Sequence, residues 1–128
     1  MDVNFIVVAK RDRLWLKNLR RGLEPLGSLQ IAEGEDDVIF NIRHQSFAAI
    51  IVDEHEVDDV PRLIKRIRDI QTDARIVIIS EEPSWRNARN VLLAGATDYI
   101  KTTIGPNDFG AIFSSFLKTP DNSAGPLA

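Results

Sequence analysis

The sequence contains no cysteine, and this absence excludes disulfide bonds, thiolate metal sites and thiol nucleophiles. It also contains no run of the roughly 20 consecutive apolar residues that a membrane-spanning helix requires. The first twenty residues lack the apolar core and the small-residue cleavage site of a signal peptide. We therefore predict a cytoplasmic protein that does not associate with a membrane.

The chain also has little excess charge of either sign. Its formal net charge is −3 and its pI is about 5.3, so nothing in the overall balance attracts a polyanion, and we predict no binding to nucleic acid. Six cations surround Trp15 in the first predicted loop and helix. We interpret them as a solvated face rather than as a docking surface for an acidic partner or an anionic membrane. They are Lys10, Arg11, Arg13, Lys17, Arg20 and Arg21.

The length and the composition predict one folded unit. With 128 residues, of which 44% are hydrophobic, the chain can fill one core but is too short for two ordinary domains. After Lys118 the composition changes to Pro, Ser, Gly and Asn, which cannot bury an apolar face. We predict a domain at residues 1–118 and a flexible tail or linker at residues 119–128.

Short β-branched apolar runs alternate with segments of helical period, which is the pattern of repeated βα units around a parallel sheet. Five strands are predicted, at residues 3–8, 29–32, 48–52, 75–79 and 97–100. We expect Asp12 to cap the first helix and Gly95 to end the fourth. The fourth helix should bury Ala88, Val91 and Leu92. The sequence therefore predicts an α/β protein with helices on both faces of the sheet.

Polar residues are predicted to meet at one edge of this sheet. In a doubly wound sheet, ligands bind beyond the carboxyl ends of the strands, where the strand order reverses. For five units this point lies between the first and third strands, which brings Ala9 and Lys10 beside Asp53. Ser80 and Lys101 stand at the ends of the fourth and fifth strands. We predict a small polar site assembled from residues that are distant in sequence.

Three segments carry a resemblance to a known family. They are Ala49-Ile50-Ile51-Val52-Asp53, Val77-Ile78-Ile79-Ser80 and Leu93-Ala94-Gly95-Ala96-Thr97-Asp98-Tyr99-Ile100. Across residues 3–118 the chain resembles the receiver domains of two-component response regulators, and the third segment contains the family's whole Gly-Ala-x-Asp-Tyr motif. The resemblance implies the flavodoxin-like, or CheY-like, fold. That fold is a five-stranded parallel sheet in the order 2-1-3-4-5 with helices on both faces.

The resemblance also implies roles for individual residues. Asp53 would accept a phosphoryl group from a sensor histidine kinase. Ser80 would contact the phosphoryl oxygens, with Lys101 as the candidate for the family's lysine, and Tyr99 would be the aromatic switch that turns inward. The implied function is that of a signal-transduction module in a phosphorelay, and we do not expect an enzyme.

A surface for partners follows from the same resemblance. In receivers that respond to phosphorylation, the face formed by the fourth helix, the fifth strand and the fifth helix contacts other proteins or a second copy. Trp85, Arg86 and Arg89 lie near its start, and exposed Trp and Arg are enriched at binding hot spots. We expect protein partners, either a sensor histidine kinase or a downstream effector, with a homodimer through this face as a further option.

The chain departs from the family at three points, one of which is a loop after Asp53 that lacks the usual Pro-Gly turn and is about one residue shorter. Receivers carry two acids directly after the first strand, which help to hold the Mg²⁺ ion of phosphoryl transfer, and here those positions are Ala9 and Lys10. The family's Lys-Pro pair is replaced by Thr102 and Thr103, with Lys101 one position early. A one-residue offset points a side chain to the opposite face unless a bulge corrects it. The chain therefore resembles a degenerate receiver, or pseudo-receiver.

Lys10 suggests a physical consequence of this departure. We expect its ammonium group to lie within about 4 Å of the Asp53 carboxylate, in the place of the metal ion. Such a pair would lower the pKa of Asp53. A single monovalent charge cannot template the transfer as Mg²⁺ does, so we expect no cofactor, Mg²⁺ included, and weak or no phosphorylation.

Other interpretations stay open. Asp53 could be a conventional phosphoacceptor, or only a helix cap or a solvated loop residue, and Lys10 could be a solvated lysine. A nucleotide-binding or flavin-binding protein on a similar sheet is a third function class. It is disfavoured because the first predicted turn, residues 8–12, has no glycine to admit a phosphate to the helix N-terminus.

Overall fold

A computed structural model describes residues 3–124 as a parallel sheet of five strands. The strands are β1 (Asn4–Val8), β2 (Ser28–Ala32), β3 (Ala49–Asp53), β4 (Arg75–Ser80) and β5 (Asp98–Lys101). The helices are α1 (Trp15–Leu23), α2 (Glu35–His44), α3 (Val60–Ile70), α4 (Trp85–Ala94) and α5 (Pro106–Ala124), and a single 3₁₀ turn spans Glu54–Glu56. The strand order is β2-β1-β3-β4-β5 with every pair parallel, which confirms the predicted topology.

Each face of the sheet is covered by a separate apolar layer. Successive side chains of a strand point to opposite faces, so Ile50 and Val52 of β3 pack with α2, α3 and α4, whereas Ala49 and Ile51 pack with α1 and α5. This two-sided burial explains why β1, β3 and β4 read as continuous apolar runs rather than as alternating ones. The central strand β3 is buried along its whole length.

Helices α1 and α5 approach each other at a pair of glycines. A Cβ atom built on Gly22 would lie 2.5 Å from the carbonyl oxygen of Pro106 and 2.8 Å from the Cβ of Phe109. A Cβ on Gly110 would lie 3.2 Å from the carbonyl oxygen of Gly22. Only hydrogen fits between the two backbones, so glycine sets the distance between these helices.

On the other face, one arginine ties α3 to the loops beside it. The guanidinium of Arg68 donates to the carbonyl oxygen of Gly95 from Nε at 3.0 Å and from Nη2 at 2.8 Å. Its Nη1 donates to the carbonyl oxygens of Thr72 at 2.9 Å and Ala74 at 2.6 Å. Gly95 ends α4 at a φ of 121°, as the sequence predicted. Arg68 therefore binds carbonyl groups both in the segment before β4 and at the end of α4.

Two predictions about the helices are wrong. Asp12 does not cap α1, because the Arg13 amide donates to the Lys10 carbonyl oxygen in a tight turn and Leu14 occupies the cap position without a side-chain bond. Leu92 of α4 is 46% exposed, and Ala88 is only half-buried. Val91 is the one buried residue of α4, since the helix packs along a narrow line against α3 and β5.

The predicted boundary at Lys118 falls inside α5. The helix continues to Ala124, so the backbone of residues 119–124 is helical, and the flexible tail or linker at residues 119–128 stays a prediction. The remainder of that predicted tail, residues 125–128, lies outside the described residues. None of the helices within residues 3–124 combines the length and the apolar character needed to cross a bilayer.

The contact between α1 and α5 leads to a stability prediction. Replacing Gly22 with Ala should lower the free energy of unfolding by about 2 kcal/mol or more, because the added methyl group meets backbone that cannot move aside. Gly105→Ala is the matched control, since a Cβ at Gly105 has no neighbour within 4 Å. Urea unfolding followed by circular dichroism measures both variants. Equal midpoints for Gly22→Ala and the wild type would contradict the close approach.

Candidate functional site

The carboxyl ends of three strands meet as the topology requires. β3 lies between β1 and β4, with Val8 opposite Val52 and Asp53 opposite Ile79. Asp53 and Ser80 therefore end neighbouring strands at the same edge of the sheet. Both side chains are buried, with Asp53 1% exposed and Ser80 fully covered. The predicted convergence of these two residues is confirmed.

Asp53 is held by the turn that follows it. Its Oδ1 accepts a hydrogen bond from the backbone amide of His55 at 3.0 Å, so the carboxylate caps the 3₁₀ turn Glu54–Glu56. The alternative interpretation of Asp53 as a cap thus describes a contact that is present. This contact directs one carboxylate oxygen toward the protein backbone rather than toward solvent.

The electrostatic surroundings of Asp53 differ from the expectation. Burial raises the pKa of Asp53, and the negative charge of Glu56 acts in the same direction. The hydrogen bond from His55 and the positive charge of Arg13 oppose this shift but do not cancel it. The pKa of Asp53 is therefore raised, whereas we predicted a lowered one.

The predicted ion pair between Lys10 and Asp53 is wrong. Among residues 3–124, no ion pair joins the two side chains, and Lys10 is exposed. Lys10 instead lines an open cavity of about 400 Å³, whose other lining residues include Asp12, Glu33 and Gly34. Ala9 is the buried residue directly after β1. The Lys10 side chain that follows it turns outward, toward the loop after β2.

Arg13 is a cation close to Asp53 that the sequence analysis did not place at the site. Its Nη2 lies 3.1 Å from Oε2 of Glu56, and its charge acts on Asp53. The tight turn from Lys10 to Arg13 brings this side chain back over the strand ends. The only signal in the sequence was its place among the cations of the first loop, which we interpreted as solvated.

The hydroxyl groups expected at the site converge on a different carboxylate. The Ser80 hydroxyl donates to Oε2 of Glu54, and the Tyr99 hydroxyl lies 3.2 Å from Oε1 and 3.4 Å from Oε2 of the same residue. The Ser84 amide donates to the Tyr99 oxygen at 3.4 Å. Ser80 and Tyr99 are therefore brought together, but Glu54 rather than Asp53 lies between them.

Lys101 is not brought to the site. It is exposed, and no ion pair joins it to another side chain of residues 3–117. Thr102, at the position counted for the family's lysine, is 3% exposed, and its amide donates to the Ser80 carbonyl oxygen at 3.0 Å. Because successive side chains along an extended chain point to opposite faces, Lys101 faces solvent where Thr102 faces the interior.

Trp85, Arg86 and Arg89 lie on the outer face of α4 near its start. All three are exposed, and the Trp85 side chain is 77% exposed. Leu93 on the same helix is 75% exposed. An aromatic and an aliphatic side chain therefore face solvent beside two arginines, and their role as a partner surface stays a prediction.

The donor set at the strand ends does not fit a divalent cation. Mg²⁺ prefers carboxylate and other oxygen ligands, but Ala9 offers no side-chain oxygen and Lys10 is a cation. The Glu56 carboxylate, which is near Asp53, is held by Arg13. Among the side chains that the structure describes, those of residues 3–117, no three His, Cys, Asp or Glu are grouped so as to hold a metal.

The chain was compared with family models, with curated proteins and with solved structures. No family model matches the sequence, and no curated protein matches it. Solved structures do match. A response regulator from Thermotoga maritima superimposes with a TM-score of 0.83 at 22% identity, covering 93% of this chain and 100% of that chain. A CheY-like response regulator receiver domain protein from Methanospirillum hungatei gives a TM-score of 0.82 at 18% identity, with 96% and 99% covered.

The fold is that of a response regulator receiver domain. The same receiver fold is found in an atypical orphan response regulator, with a TM-score of 0.78 at 13% identity and with 91% of this chain and 97% of that chain covered. The structure of that protein is described as revealing a phosphorylation-independent regulatory mechanism. Sequence identities this low establish the shared fold alone.

The raised pKa of Asp53 predicts a pH-dependent effect on stability. The folded state binds the Asp53 proton more tightly than the unfolded state, so ionisation at neutral pH opposes folding. This cost disappears below the unfolded pKa of about 3.9. Asp53→Asn, which keeps an oxygen acceptor for His55, should therefore unfold at higher urea concentration than the wild type at neutral pH, and this advantage should shrink as the pH falls toward 4.

Asp69→Asn is the control for this experiment. Asp69 is exposed, and its substitution changes the formal charge by the same amount as Asp53→Asn. It should leave the urea midpoint nearly unchanged across the same pH range. An advantage of Asp53→Asn that grows as the pH falls would show that the carboxylate stabilises the folded state instead.

Proposed function

We propose that this chain is a cytoplasmic signalling receiver of a two-component system in which Asp53 is phosphorylated weakly or not at all. It acts through contacts with other proteins and has no enzymatic activity of its own. The proposal joins the receiver fold to a site whose residues are poorly suited to metal-dependent phosphoryl transfer. Signalling would then rest on the surface that the fold presents.

The burial of Asp53 is the observation that carries this proposal. Phosphoryl transfer requires an in-line approach of the phosphodonor and a divalent cation that neutralises the developing charge. Asp53 is 1% exposed, one of its oxygens accepts the His55 amide, and the ion pair of Arg13 with Glu56 lies nearby. The positions that would supply acidic ligands are Ala9 and Lys10. Both the approach and the cation site are therefore compromised.

The α4 surface supports the proposed mode of action. Trp85, Arg86 and Arg89 are exposed at the start of α4, and these residue types dominate binding energy at many interfaces. We propose that a sensor histidine kinase or a downstream effector contacts this surface, or that a second copy does so through α4, β5 and α5. The atypical orphan response regulator with the same fold, whose regulatory mechanism is described as phosphorylation-independent, supports this proposal.

A conventional phosphoacceptor is the second candidate. It is favoured by the position of Asp53 at the end of β3 beside the hydroxyl-bearing end of β4, because a receiver would place its phosphoacceptor and its hydroxyl residue there. In that case Asp53 would be labelled quickly in a Mg²⁺-dependent reaction. The two candidates therefore differ in one measurable rate.

The test is labelling of Asp53 by acetyl phosphate with and without Mg²⁺, followed by intact-protein mass spectrometry. The wild type should show little or no phosphoryl adduct. Lys10→Asp replaces a positive charge by a negative one on the loop after β1, and it should therefore bind Mg²⁺ more tightly than the wild type. The double variant Ala9→Asp/Lys10→Asp, which restores both acids, should be labelled roughly tenfold faster or more.

Asp53→Asn in the double variant is the control for the labelled residue, and it should abolish the adduct. Circular dichroism of each variant checks that it remains folded. Rapid labelling of wild-type Asp53 that depends on Mg²⁺ would reject the proposal in favour of the conventional phosphoacceptor.

A further inference from the structure

The carboxylate of Glu54 connects the ends of three strands. Glu54 directly follows β3, Ser80 ends β4 and Tyr99 lies within β5. The hydroxyl groups of Ser80 and Tyr99 both donate to Glu54, and the Ser80 side chain is fully covered. The Tyr99 ring is partly buried and packs against the apolar layer beneath α2, α3 and α4. A single acidic side chain is therefore the shared acceptor of two hydroxyl donors.

We propose that Glu54 is a built-in substitute for a phosphoryl group, because its carboxylate accepts the Ser80 and Tyr99 hydroxyls and holds both side chains inward in the unmodified protein. This inference deepens the proposed function, on which its meaning for signalling rests. Glu54 supplies what an acyl phosphate on Asp53 would otherwise supply, namely negatively charged oxygen atoms that accept hydrogen bonds. No covalent step is required.

The strength of the bridge follows from its chemistry. Hydrogen bonds from hydroxyl groups to a carboxylate are charge-assisted, and they are roughly twice as strong as bonds between neutral groups. The bridge is also shielded from competing water, since Ser80 is fully covered and Tyr99 and Glu54 are partly buried. The Asp53 carboxylate forms no hydrogen bond to either hydroxyl among the described residues, and its own bonded oxygen accepts the His55 amide. The two adjacent acids therefore have different roles.

The bridge extends to the start of α4. The Ser84 amide donates to the Tyr99 oxygen at 3.4 Å, and the Ser84 hydroxyl accepts the Asn87 amide at 3.1 Å as the cap of the helix. Trp85 is the next residue, and its side chain is 77% exposed. A change in Tyr99 would therefore reach the cap of α4 and the placement of Trp85. Glu54 fixes this chain of contacts without phosphorylation.

The test uses the fact that Tyr99 is the only tyrosine in the chain. Protein labelled with fluorotyrosine gives one ¹⁹F resonance, which reports on the surroundings of this ring. In Glu54→Ala the resonance should move toward the value of the unfolded protein, and hydrogen exchange of the Ser84 amide, which donates to the Tyr99 oxygen, should accelerate about tenfold or more, as expected for loss of charged hydrogen bonds. Glu54→Gln, which keeps the shape but not the charge, should fall between Glu54→Ala and the wild type.

Glu82→Ala is the matched control. It removes an exposed carboxylate from the loop before α4, and no hydrogen bond or ion pair of Glu82 is found in the described part of the chain. Its ¹⁹F resonance and its exchange rates should equal those of the wild type. Should Glu54→Ala fail to fold, Glu54→Gln decides the outcome alone. A Tyr99 resonance and loop exchange that stay at wild-type values in the folded Glu54 variants would overturn the inference.

These measurements contain no phosphodonor, so they are independent of the labelling experiment. Rapid labelling of wild-type Asp53 together with a disturbed Tyr99 in Glu54→Ala would reject the proposed function and keep the bridge. Absence of labelling together with an undisturbed Tyr99 would keep the proposed function and reject the bridge.

Discussion

A buried carboxylate at the end of the central strand is the constraint around which this site is built. Parallel strands that are covered on both faces leave their carboxyl ends as the place where polar side chains accumulate, and here β3 ends in an acid that is 1% exposed. Charge in such a position has to be compensated locally. The His55 amide and the Arg13 charge provide part of this compensation, and the pKa of Asp53 is still raised because burial outweighs both. Burial is therefore the main influence on the pKa of this carboxylate.

The neighbouring acid shows how the same edge can serve a different purpose. Asp53 belongs to the strand and faces the backbone of the following turn, whereas Glu54 belongs to that turn, and its longer side chain meets the hydroxyls of Ser80 and Tyr99. Two cations of the loop after β1 also differ in their surroundings. Lys10 is exposed, whereas Arg13 pairs with Glu56. The strand ends therefore keep the order of a receiver fold, while Ala9 and Lys10 follow β1 and the Ser80 and Tyr99 hydroxyls donate to Glu54.

The sequence predicted those features that depend on periodicity, and it failed where a loop sets the direction of a side chain. The apolar runs ending at Val8, Val52 and Ile79 predicted the strands, and the topology then placed Asp53 and Ser80 together. The direction of Lys10 could not be predicted in this way, because no repeating pattern governs the residues after a strand ends. The turn from Lys10 to Arg13 also displaced the expected cap, Asp12. The contacts of Glu54 could not be predicted, because they depend on the positions of the Ser80 and Tyr99 hydroxyls in the folded sheet.

Helix α4 connects the site to the surface, and its attachment explains why a small polar bridge matters. Val91 is its only buried residue, so the helix gains little from apolar packing, and the exposed Leu92 follows from the same narrow contact. Its C-terminal end is fixed by the Arg68 bonds to Gly95, and its N-terminal end by the Ser84 cap beneath Tyr99. A helix with few buried apolar contacts opens locally more readily than one that is packed along its length. The end that carries Trp85 is the one that Glu54 controls, so the chemistry of the strand ends and the exposed face of α4 form one physical system.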